Sequence, residues 1–195
     1  MTDAKALYGT DAPVAPSEQL VVGSLSFTLE QGALRHIRVG DVEILRGISF
    51  LVRDRDWGTL VPRLDLFDSQ VSEDRATVTI QALYEHKAAC LSVRLKITGE
   101  ADRLLVSAIG KVKGDFETNR AGFTLLHPAG LAGCPVRIAH SDNATTETQF
   151  PRTIDPWQPF MDITAMSHQD NGLDVTCTLS GDTCLLYTSP SPRDS

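Results

Sequence analysis

Hydrophobic residues in this chain recur with a period of two, and that feature alone excludes most folds. Leu91, Val93, Leu95 and Ile97 alternate with Ser92, Arg94, Lys96 and Thr98. Val78, Ile80, Ala82 and Tyr84 alternate with Thr77, Thr79, Gln81 and Leu83, while Leu173, Val175, Cys177 and Leu179 alternate with Asp174, Thr176, Thr178 and Ser180. Such alternation puts one face of a strand in a core and the other in water, as in antiparallel sheet. No long window carries the period of an amphipathic helix. Further strands are expected at 20–29, 33–39, 42–45, 47–53, 103–113, 121–127 and 135–140. The connections are short and rich in turn formers, as at Gly40-Asp41, Gly99-Glu100 and Asn171-Gly172. The expected fold is all-β: an antiparallel two-sheet β-sandwich with Val78/Ile80/Ala82, Leu91/Val93/Leu95 and Leu173/Val175/Leu179 facing its core.

The pattern breaks at the C-terminal end. Cys184-Leu185-Leu186-Tyr187-Thr188-Ser189-Pro190-Ser191-Pro192-Arg193-Asp194 matches, residue for residue, one reading frame of a transposase sequencing adapter. Segments of this kind carry no fold information. A genuine Pro/Ser-rich tail would have a similar composition, but a match of that length to a single frame makes the foreign origin the better reading. Three regions follow: a loose N-terminal arm over 1–19, a β-sandwich domain over 20–183, and a non-native tail over 184–195. Gly181-Asp182 has the look of a hairpin turn whose partner strand is lost, so the sandwich is expected to be an incomplete fragment.

Charge removes several functional classes. With 18 Lys and Arg against 25 Asp and Glu, the formal charge is −7. That balance argues against a nucleic-acid surface and against an anionic membrane as partner. No apolar run approaches a membrane span, and Met1-Thr2-Asp3-Ala4-Lys5 is not the start of a signal peptide, so a cytoplasmic protein is expected. Without the tail, the cysteines are Cys90, Cys134 and Cys177, widely spaced and suited to reduced structural thiols. No metal site and no cofactor are expected. His36, His86, His140 and His168 fall on separate strands or turns without ligand spacing.

Phosphate-binding loops, HExxH and GxSxG are all missing, leaving three dense segments. In Gly47 to Thr59, Arg53, Asp54, Arg55 and Asp56 alternate in charge beside Trp57. An aromatic face that stacks on a sugar, next to carboxylates that accept hydroxyl protons, would make a sugar-facing strip. An exposed strand end with weak mutual ion pairs fits the same residues. In Asn119 to Pro128, Arg120 and His127 are candidate substrate contacts, and His127 is also open to a structural reading as a hydrogen-bonded residue before Pro128. In Phe150 to Phe160, prolines at 151, 156 and 159 fix an extended path. Trp157 and Phe160 on that path are candidates for a domain contact.

These segments, in this order, resemble the N-terminal part of the D-apionate lactonases, sugar-acid lactone hydrolases of bacterial apiose catabolism. The stretches that carry the resemblance are Gly32 to Val39, Glu43 to Gly47, Val52 to Thr59, Asn119 to Pro128 and Phe150 to Phe160. The resemblance implies a mutarotase-like supersandwich beside a TIM-barrel-like domain that is missing from these residues. It also implies a small-molecule sugar-acid lactone as the substrate, intramolecular contact with the missing barrel, and catalytic residues in the missing C-terminal part. No catalytic residue is carried over to this chain, and the fragment alone is expected to be inactive. Two rival readings stay open: the accessory sandwich of a TIM-barrel glycoside hydrolase, and a non-catalytic carbohydrate-binding module.

Overall fold

The computed structural model describes residues 16–153 and 160–181. Thirteen strands follow in chain order: β1 Ser17–Val22, β2 Leu25–Glu30, β3 Ala33–Val39, β4 Val42–Asp54, β5 Arg63–Val71, β6 Ala76–His86, β7 Ala89–Glu100, β8 Arg103–Lys113, β9 Thr118–Leu126, β10 Pro135–His140, β11 Thr145–Gln149, β12 Ile163–Asp170 and β13 Leu173–Thr178. A short 3-10 turn spans Ala129–Leu131. The strands form three sheets, ordered β1-β2-β3-β4-β9, β5-β6-β7-β8 and β11-β10-β12-β13. The protein is an all-β sandwich. No helix among the described residues is long and apolar enough to cross a membrane.

The described residues divide into two compact units, one of those up to 35 with 49–122 and one of 36–48 with those from 123 onward. In the first unit the alternation becomes burial. Val78, Ala82, Val93 and Ile97 are almost wholly excluded from water, and the register brings Val78 opposite Ile97 and Ala82 opposite Val93 on the inward face. A second layer closes over that face. Leu20 pairs with Phe27 and Val22 with Leu25 across β1 and β2, and all four are buried. Phe27 approaches so closely that a Cβ on Gly99 would lie 3.1 Å from its Cε1. Glycine in mid-strand normally weakens a sheet, and here it admits a ring from the facing layer.

The second unit has its own core of Leu131, Val136, Ile138, Phe150, Phe160, Ile163 and Met166. In β13, Leu173 and Val175 are only half-buried, and Leu179, just past the strand, packs against that core. The β12–β13 hairpin turns at Asn171-Gly172, with φ of 46° and 84°. Two successive positive φ values define the type I′ turn that favours Asn-Gly.

Several expected boundaries move. The 20–29 strand is two strands, broken by a turn at Gly23-Ser24. The expected strands at 42–45 and 47–53 are one continuous strand, β4. Gly99-Glu100 is not a turn but the end of β7, and the chain turns at Ala101-Asp102 instead. Three strands, β5, β11 and β12, were not marked by the alternation at all. Asp182, the second residue of the suggested Gly181-Asp182 hairpin, lies outside the described residues, as do Trp157 and the 184–195 tail.

Candidate functional site

The Arg-Asp strip folds into a tight loop at the end of β4. Trp57 N–H donates to Asp54 C=O at 3.1 Å, and Asp54 N–H donates to Gly58 C=O at 2.9 Å. One oxygen of the Asp54 carboxylate, Oδ1, accepts the N–H groups of Asp56 at 2.9 Å and Gly58 at 2.7 Å. Asp54 thus holds the loop from inside, as short acidic side chains commonly do in turns. Arg53 Nη1 donates to Trp57 C=O at 3.1 Å. Arg55 pairs with Glu117 at 3.7 Å, an exposed contact of little energetic weight. Asn119 Nδ2 donates to the Arg55 C=O.

Trp57 is the unusual residue of this loop. It is 61% exposed and sits at φ 66°, in the left-handed region where glycine is favoured. Asp56 beside it is exposed, and Arg53 is half-buried. Loop geometry therefore employs Asp54 and Arg53 while leaving the Trp57 ring and the Asp56 carboxylate open to water.

The first unit also holds a cavity of about 230 Å³ between the β2–β3 turn, β4, and the segment leading into β5. Phe50, Tyr84 and Leu64 give it apolar walls, and Ser49, Gln31 and Thr59 contribute polar groups. Tyr84 is buried and its hydroxyl donates to Phe50 C=O at 3.1 Å. Burial pushes its pKa up to about 12, so it stays a neutral phenol. Glu30 and Arg35 are the charged residues on the wall. Neither stands out in the sequence, because the four positions between them are split by a hairpin turn.

His127 and His168 come together in the second unit, although 41 positions separate them in the chain. Their ring centroids are 5.9 Å apart, and Phe150 lies 5.1 Å from His127. His127 is 3% exposed and His168 7%. Burial, then the neighbouring His168, lowers the His127 pKa to about 4. Burial also lowers that of His168, against an opposing pull from Asp170. Among the described residues, neither ring nitrogen of His168 has a hydrogen-bond partner. Both imidazoles are neutral near pH 7 and packed like apolar rings.

Arg120 is half-buried on β9. Phe160, expected at a domain contact, is 8% exposed and packs into the core of its own unit. Among the described residues, no group of three or more His, Cys, Asp or Glu is placed to hold a metal ion.

Residues 5–184 match the family model described as D-apionate lactonase, N-terminal domain. Over 181 residues the chain is 41% identical to a D-apionate lactonase of Brucella anthropi. That alignment covers 91% of this chain but 30% of the relative, so the chain spans about a third of the length of the protein it matches. No solved structure matches it.

Proposed function

Because the chain belongs to the D-apionate lactonase family, as its N-terminal domain, we propose that it is part of a longer cytoplasmic enzyme that opens D-apionolactone to D-apionate. Water adds to the lactone carbonyl, the ring C–O bond breaks, and the product is a hydroxy acid. Such a reaction needs a group that activates water and donors for the oxyanion. We assign those groups to the part of the enzyme beyond this domain, a barrel whose strand ends carry the reacting side chains. The observation that carries this reading is the family match over 5–184.

Within the domain, the Arg53–Trp57 loop is the proposed sugar contact, with Arg120 as a secondary candidate. Trp57 supports this choice. A large exposed aromatic in a left-handed conformation is unfavourable for the loop itself, and such strain tends to sit where a ligand is met. The test uses the intact protein with its downstream sequence. Acid release from D-apionolactone should exceed the spontaneous rate, and Trp57→Gly should raise KM while leaving kcat nearly unchanged. Glycosidase activity in place of lactone opening would overturn the assignment.

A further inference from the structure

Glu30 and Arg35 line one cavity, both half-buried, yet among the described residues neither side chain makes an ion pair or hydrogen bond. The guanidinium has five N–H donors in a planar fork, and the carboxylate accepts only. The cavity is half open to solvent, so both charged groups are left to meet water or a ligand. A hairpin turn holds the arrangement. Gln31 and Gly32 have φ of 48° and 75°, the two positive values of a type I′ turn. Gly32 also lies against Leu64, so that a Cβ there would come within 3.2 Å of its Cδ1. This turn sets Glu30 at the end of β2 and Arg35 on β3, at the same cavity.

We propose that this cavity binds a small polyhydroxy carboxylate, with Arg35 gripping the carboxylate and Glu30 accepting hydroxyl protons. A guanidinium fork matches a carboxylate bidentately. Ser49, Gln31 and Thr59 supply further donors and acceptors for hydroxyl groups, while Phe50 and Leu64 offer apolar surface to the C–H face of the carbon chain. A volume of about 230 Å³ admits a five-carbon acid with room for water. The inference rests on the lactonase reading only for preferring a hydroxy acid over an amino acid, whose ammonium group could also meet Glu30. It makes the domain a receptor for the acid product, recognised by the charge that the uncharged lactone lacks.

Calorimetric titration of the 195-residue chain tests it with four probes: D-apionate, D-apionolactone, xylitol and L-threonine. D-apionate should bind at one site per chain, at least about tenfold more tightly than the lactone or xylitol. Arg35→Met should abolish that preference, and Arg35→Lys, which keeps the charge but loses the fork, should retain only part of it. Glu30→Gln should weaken D-apionate by several-fold without restoring lactone binding. Far-UV circular dichroism of each variant separates lost binding from lost folding. Absence of D-apionate binding, equal binding of xylitol, preferred binding of L-threonine, or unchanged affinity in folded Arg35→Met would each overturn the proposal. None of these outcomes bears on lactone hydrolysis by the intact enzyme, which is read separately as acid release.

Discussion

His168 and Phe150 meet in a T, with ring centroids 5.2 Å apart and planes at 88°. His127 completes a triangle of rings, 5.1 Å from Phe150 and 5.9 Å from His168, so two imidazoles lie together inside the second unit, where protonation is resisted. Stability should therefore depend on pH with a definite sign. Well above pH 6.5 both rings are neutral in both states, and the effect is absent. As the pH falls through that value the unfolded chain takes up protons that the fold refuses, and stability declines until the folded pKa, about 4 for His127, is reached. For His127 the full span is worth roughly 3 kcal/mol, and His168 adds to it with the same sign. Urea midpoints should fall between about pH 7.5 and pH 5, and His127→Gln should flatten that dependence. A variant as acid-sensitive as the parent would show that the loss arises elsewhere.

Asp54 and Trp57 act on one loop in opposite directions. Removing the Asp54 carboxylate leaves the N–H groups of Asp56 and Gly58 without their acceptor, so Asp54→Ala should cost about 1 kcal/mol. Asp54→Asn keeps an oxygen in place and should recover most of that. Trp57→Gly releases a side chain from an unfavourable φ and should stabilise the isolated domain by up to about 1 kcal/mol. Thermal unfolding of the three variants checks the ranking. A Trp57→Gly variant less stable than the parent would show that the ring contributes packing the loop needs.

Phe27 fills the space that Gly99 leaves open. Truncation to alanine removes a fully buried ring between two layers, and Phe27→Ala should cost about 3–5 kcal/mol. Gly99→Ala should also destabilise, because the new methyl group would meet Phe27 and Leu25 at 3.1 and 3.4 Å. Being neighbours, the two changes should not add: the double variant should be less damaged than the sum of the singles. Strict additivity in denaturant unfolding would contradict the contact.

Strands were legible where alternation is uninterrupted. β6 alternates along nearly its whole length and β7 as far as Ile97, and β3, β8 and β10 start and stop where the sequence predicts. β5 was missed because its register slips between Leu66 and Asp68, which throws the apolar positions out of phase. β11 contains no apolar residue at all. Its backbone pairing with β10 and the Arg137–Glu147 ion pair are cross-strand facts that no local window holds. The candidate sites divide in the same way. The Arg53–Trp57 loop is contiguous and could be marked in advance, whereas the cavity beside Glu30 and Arg35 is closed by residues from 49 to 95, and the His127–His168 contact joins residues 41 positions apart. Composition gave no sign of either one.

The last prediction concerns β8, an edge strand paired only with β7 among the described residues. Leu105 and Ile109 share one of its faces and are 60% and 70% exposed. An edge with unpaired backbone groups and an apolar face is a template for association with another chain. Lys111 and Lys113 fall on that same face toward the C-terminal end of the strand, where charge opposes such pairing. Extending this protection with Leu105→Lys and Ile109→Lys should reduce self-association of the domain as concentration rises. Neither side chain is in the core, so the unfolding midpoint should shift by no more than about 0.5 kcal/mol equivalent. Light scattering across a concentration series, alongside denaturant unfolding, measures both effects. If the double variant associates as readily as the parent, the sticky edge lies elsewhere, and β13, paired only with β12 among the described residues, is the next strand to charge.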